Sequence, residues 1–224
     1  MKKDFATFLT YSGIEIDIQN VKEEDINVND IFHSLSLINR FCGHSHRQYS
    51  VSEHSVYCYI VADIMGYGKR IKAYALLHDA SESMIGDLPT YVKQFVPSYK
   101  EIENKVEHVI FSKLGLGDMT DGEKRIVKSI DNTLMLLEMR DLTQHDITQI
   151  DLIDRENFYD SFSNNYNGRV KNLIDLEFGM ITDLLPKEYA HTFLKYKDNY
   201  PLAFEKLMKH IYKNEFSNLA GEKL

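Results

Sequence analysis

The sequence predicts an all-α fold: a helical bundle over residues 1–165, with a helical C-terminal extension over 166–224 packed on it. Three observations carry this reading. Chain breakers are sparse, 4 Pro and 11 Gly in 224 residues, so long helices meet few interruptions. Apolar residues recur at three- and four-residue spacing through successive segments, the period of a helix with one face in a core. Ser or Thr stands three residues before Glu at Ser50–Glu53, Ser98–Glu101 and Thr120–Glu123, the pattern that opens a helix.

The elements follow in order. Residues 5–28 alternate weakly, and Phe5–Tyr11 with Gly13–Ile18 fit a small hairpin or an extended arm. A first helix opens at Asn29, with Ile31, Leu35, Ile38 and Phe41 on its stripe and Gly43 as its close. The run Arg40–Ser50 is a polar loop with Arg40, Arg47, His44 and His46. It serves either as a solvated turn or as an anion site, because guanidinium forks match phosphate oxygens. Ser50 opens the second helix, with His54 in its first turn and Gly66 as its stop. The third is expected from Lys69 to Met84, ended by Gly86-Asp87-Leu88-Pro89. Tyr91–Phe95 reads as a connector or a helical turn. Ser98 is expected to cap a helix running through Ile102, Val106 and Ile110 to Gly115, and Thr120 one carrying Ile126, Ile130, Leu134 and Leu137. Asp131 lies directly after the core position Ile130, where a carboxylate needs water or a partner. Past Asp141 the pattern weakens, then Phe178–Leu185, Tyr189–Tyr196 and Leu202–Tyr212 read as three short helices with no chemistry attached.

Composition narrows the function classes. The formal charge of −8 argues against a nucleic-acid polymer as partner, while leaving room for a small anion in a local basic pocket. Cys42 and Cys58 are too few for a disulfide framework and lack metal-type spacing, so both read as reduced thiols. The start, Met1-Lys2-Lys3-Asp4-Phe5, has no apolar run behind its charges. No stretch approaches the roughly 18 apolar residues of a membrane span. The expectation is a cytoplasmic protein without membrane contact.

The chemistry concentrates in Leu76-Leu77-His78-Asp79-Ala80-Ser81-Glu82 and the Gly86-Asp87-Leu88-Pro89 that follows. Burying an imidazole and two carboxylates beside an apolar run is costly, and a divalent cation is the usual compensation. His54, His78, Asp79 and Asp131, on three expected helices, make a hard-to-borderline donor set with room for water and substrate.

This order, H…HD…D, resembles the metal-ligand pattern of the HD-domain phosphohydrolases. The stretches Asn39-Arg40-Phe41-Cys42-Gly43-His44, Tyr49-Ser50-Val51-Ser52-Glu53-His54-Ser55 and His78-Asp79-Ala80-Ser81-Glu82 with Gly86-Asp87-Leu88-Pro89 look like the bacterial 5′-deoxynucleotidases and the related phage HD phosphohydrolases, some of them dATP triphosphohydrolases. The likeness covers residues 5–142. It implies an HD-domain helical bundle with His54, His78, Asp79 and Asp131 holding a divalent metal ion (Co2+, Mn2+, Zn2+ or Mg2+). It implies Glu82 as the group handling the water or leaving-group proton, Arg40 as the phosphate grip and Asp87 as the sugar contact, with Arg47 and Lys93 as further phosphate contacts. A Trp follows the phosphate-binding Arg in the cellular 5′-deoxynucleotidases; here Phe41 follows Arg40, which leaves deoxyribose selectivity open.

The implied function is a metal-dependent phosphohydrolase taking phosphate from deoxynucleoside 5′-monophosphates, or acting on dNTPs such as dATP, as a homo-oligomer. The alternatives are a cyclic or signalling nucleotide phosphodiesterase and a catalytically silent nucleotide-binding module.

Overall fold

A computed structural model describes residues 7–144, and within them the chain is helical apart from one small sheet. Strands β1 (Thr7–Leu9) and β2 (Glu15–Asp17) pair antiparallel with Phe8 opposite Ile16, so the N-terminal segment takes the hairpin form. The helices are α1 (Val28–Leu37), α2 (Val51–Ile64), α3 (Lys69–Leu77), α4 (Glu82–Ile85), α5 (Thr90–Lys93), α6 (Pro97–Lys113) and α7 (Asp121–Leu142). The three C-terminal helices expected from the sequence, and the boundary at residue 165, lie outside the described residues.

Helix α2 is the centre of the bundle and packs against α1, α3 and α7. Its described side chains from Val51 to Ala62 are all buried, which explains why no one-sided stripe marks it. Ser50 caps it by accepting from the Glu53 N–H at 3.2 Å. The return half of the expected box is missing because the Glu53 carboxylate is turned to Arg47 instead. On α7 the box forms completely: Thr120 accepts from Glu123 N–H, and Glu123 accepts from Thr120 N–H at 2.8 Å.

Three expectations need correction. The first helix ends at Leu37, not near Gly43; Ile38 is extended and Arg40–Gly43 forms a separate tight turn. The cause is an antiparallel bridge of Asn39 with Ser50, in which Arg40 N–H donates to Tyr49 O and Val51 N–H to Ile38 O, pulling the chain out of the helix. The third helix stops at Leu77. From His78 to Ser81 the backbone tightens, with Ala80 N–H bonding Leu77 O and Glu82 N–H bonding Asp79 O three residues back, and α4 starts only at Glu82. Helix α6 begins at Pro97 rather than at a Ser98 cap, Pro being suited to a first helical position where no N–H is needed.

Among the described residues no helix is long and apolar enough to cross a membrane.

Candidate metal centre

Helix α2 supplies His54 from its first turn, the tight turn after α3 supplies His78 and Asp79, and α7 supplies Asp131 from its middle. The structure brings these four together. His54 Nε2 and His78 Nε2 face each other at 3.3 Å. Asp131 Oδ1 lies 3.2 Å from His54 Nε2 and 3.8 Å from His78 Nε2, and Asp79 Oδ2 lies 3.2 Å from His78 Nε2 and 3.8 Å from His54 Nε2. His54 is fully buried, while Asp79 and Asp131 keep 18% and 15% of their side-chain exposure, so the cluster meets solvent on its carboxylate side.

The outer nitrogens decide which tautomers are present. His78 Nδ1 is 2.9 Å from Ala75 O, a carbonyl that can only accept, so Nδ1 carries the proton and Nε2 presents a lone pair. His54 Nδ1 is 2.6 Å from Glu138 Oε1. Burial pushes the Glu138 carboxyl up, but the Arg40 charge and the hydrogen bonds from His54 and Tyr49 outweigh it and hold the group below its ordinary range, so it too accepts. In that neutral form two imidazole lone pairs and two carboxylates converge, the carboxylates also meeting Lys128 (2.6 Å from Asp131 Oδ2) and Arg40. A bound cation, or protons on the imidazoles, satisfies such a set. Two nitrogen or oxygen ligand atoms bound at about 2.0–2.2 Å to one tetrahedral ion stand about 3.3–3.6 Å apart, close to the 3.2–3.8 Å found here. The donor set fits a divalent metal. Without one, the cluster draws in protons: burial depresses His78, yet Asp79 and its other neighbours raise it well above the usual imidazole range.

Around this centre lie the other expected site residues. Arg40 is held by Nε to Glu138 Oε2 at 3.1 Å and reaches Asp79 Oδ2 with Nη1 at 3.5 Å. Glu82 is buried, and its Oε2 has no hydrogen-bond partner among the described residues. Burial, then the charges of Asp79 and Asp87, push its carboxyl up to about 9, so it keeps its proton near neutrality. Asp87 is half-buried and also raised by burial, within the fields of Arg40, Asp79, Lys93 and His54. Lys93 Nζ bonds Glu103 at 2.7 Å and lies 3.6 Å from Glu82 Oε1. Arg47 is not gathered in by these contacts: its fork is closed on Glu53 at 2.6 and 2.9 Å, with the guanidinium carbon 5.1 Å from the centre of the Tyr49 ring.

Sequence reasoning missed Glu138, Tyr49, Glu103 and Cys58. Glu138 joins His54, Arg40 and the Tyr49 hydroxyl (2.8 Å) in one buried network. Its signal was present, since seven residues after Asp131 is two helical turns on the same face. Cys58 Sγ lies 3.5 Å from His54 Nε2 and belongs with His54 and His78 to a group whose ligand atoms are all within 4.8 Å of one another. It stands four residues after His54, the spacing that stacks side chains on one helix face.

Comparison with known proteins gives the family of the chain. A model of the YfbR-like 5′-deoxynucleotidase family matches residues 27–128, a span holding His54, His78, Asp79, Glu82 and Asp87 and ending before Asp131. The uncharacterised protein YfdR of Escherichia coli is 36% identical over 133 residues, 59% of this chain and 70% of that protein. An uncharacterised protein of Rhodobacter capsulatus is 30% identical over 162 residues, 68% of this chain and 80% of its own length. A 5′-deoxynucleotidase of Vibrio parahaemolyticus is 39% identical over 80 residues, 29% of this chain and 41% of the relative. From the family match together with these relatives, the chain belongs to the YfbR-like 5′-deoxynucleotidase family, an HD-type group.

Proposed function

We propose that this protein is a metal-dependent nucleotide phosphohydrolase that removes the phosphate from deoxynucleoside 5′-monophosphates. The observation that carries the proposal is the convergence of His54, His78, Asp79 and Asp131 on a point with Arg40 beside it and solvent on its open side. The names carried by the family and by its Vibrio relative support the nucleotide as substrate.

His54, His78, Asp79 and Asp131 would hold the divalent ion, which when bound supplies a Lewis acid for a phosphoryl oxygen and makes water more acidic. Arg40 stays charged, since Glu138 and Asp79 outweigh the cost of its burial, and it offers N–H groups to phosphate oxygens as negative charge builds on them. Glu82, buried with an unpartnered oxygen and with its carboxyl raised by burial first, would donate a proton to the departing nucleoside oxygen. An orphaned buried oxygen costs about 1–3 kcal/mol, a cost that a substrate partner removes. Asp87, half-buried within the fields of Arg40 and Asp79, would accept from a sugar hydroxyl.

We take the monophosphate over dNTPs because 5′-deoxynucleotidase is the name carried by the matching family and by the Vibrio relative. The test is to offer metal-loaded protein each deoxy- and ribonucleoside mono- and triphosphate and resolve the products by chromatography. Inorganic phosphate from deoxynucleoside monophosphates, lost in His78→Ala, is the expected result. Tripolyphosphate from dNTPs, or no product from any nucleotide, overturns the reading.

A further inference from the structure

We infer that Cys58 is a sulfur ligand of the metal centre and biases it toward thiophilic ions such as Zn2+ and Co2+ over Mg2+ and Mn2+; this rests on the metal reading above. Three observations converge. Cys58 is buried, one helical turn beyond His54 on α2, and its Sγ lies 3.5 Å from His54 Nε2. A sulfur and a nitrogen bound to one ion at about 2.3 and 2.1 Å stand about 3.1 Å apart at a right angle and about 3.6 Å apart at a tetrahedral one, and the observed separation falls in that range. The nitrogen it approaches is the one whose lone pair the Glu138 contact turns inward, and the His78 Nε2 lone pair belongs to the same group.

As a plain core residue Cys58 would behave as a small hydrophobe among apolar neighbours. Cys58 does belong to the buried core, but its Sγ also stands at the His54 Nε2 edge of that core, within 4.8 Å of a ring nitrogen of His78. Ligation exchanges the S–H bond for a metal–sulfur bond and passes the thiol proton to solvent, with no change in oxidation state. A soft thiolate added to two imidazoles and two carboxylates moves the site from one suited to Mg2+ and Mn2+ toward one suited to Zn2+ and Co2+.

Cobalt spectroscopy on the full chain tests this without reference to turnover. Cobalt-loaded protein should show near-ultraviolet sulfur-to-cobalt charge-transfer absorption together with visible d–d bands. Cys58→Val should lose the first and keep the second, and its preference for zinc over manganese in direct competition should fall about tenfold or more. Cys42→Ser, which removes the exposed thiol, should leave the spectrum unchanged. Cys58→Ser serves if the valine variant does not fold. Bound cobalt without the charge-transfer band in the parent protein, or a band that survives in Cys58→Val, overturns the inference alone. A parent protein that binds no cobalt overturns it together with the metal centre.

Discussion

Glu138 does three jobs with one carboxylate: it fixes the His54 tautomer, anchors Arg40 and accepts from Tyr49, all with no exposure of its own. Taking away one partner of a buried charged network leaves the others unpaired. Glu138→Ala should therefore lower unfolding free energy by about 3–5 kcal/mol, read from denaturant melts. Glu138→Gln keeps the shape but weakens the acceptor, and should reduce metal affinity about 10–100-fold in a zinc titration. Glu82 carries the opposite instability. Its carboxyl rises from 4.5 to about 9, burial being the largest cause, so between those values the folded protein keeps a proton that the unfolded chain releases. The unfolded state then binds fewer protons, and stability falls as pH rises. The Glu82 contribution is fully present below about 4.5 and is lost as pH climbs through about 9. Metal-free Glu82→Gln should melt higher than the parent at pH 8 and equally at pH 4. Parallel melting curves across that range would refute the assignment. The same variant should lose about 10²–10⁴ in turnover.

At the scale of elements, the site depends on two pieces of non-helical backbone rather than on the helices alone. In the turn after α1, Phe41 and Cys42 take left-handed backbone angles at φ 55° and 50°, costly for residues with a Cβ. They persist because Arg40 is fastened to Glu138 on one side and the Asn39–Ser50 bridge closes the loop on the other. After α4, Gly86 stands at φ 81°, ψ 162°, a region open essentially to glycine, and its carbonyl accepts from the Tyr99 hydroxyl at 2.6 Å. That turn carries the chain from Glu82 to Asp87. Open space surrounds a Cβ at this position, so the obstacle is conformation and not a clash. Gly86→Ala should cost about 1–3 kcal/mol and should raise KM more than it lowers kcat. An unchanged melting temperature would remove the turn from the account.

For the whole molecule, the bundle brings α2, α3 and α7 to one point, where a bound cation would replace the protons that the His–Asp cluster otherwise holds. A ligand that binds only the folded state stabilises it by about 2.7 kcal/mol at a hundred times its dissociation constant. Zinc should therefore raise the melting temperature, a chelator should reverse the rise, and Asp131→Ala should show little of it. What a chain of these residues announces on its own is local or compositional: the Ser50 and Thr120 caps, the apolar stripes of α1 and α7, and the donor types at His54, His78, Asp79 and Asp131. Each depends on residues within about one turn of one another or on chemistry that position alone displays. Pairings across the bundle were not legible. Glu138 meets His54 over 84 positions and Arg40 over 98, Arg47 is claimed by Glu53, and Cys58 in the core comes within 3.5 Å of His54 Nε2. Those partners follow from how helices pack and where bridges bend the chain, as at Asn39–Ser50 and His78–Ser81, and neither periodicity nor composition carries that information.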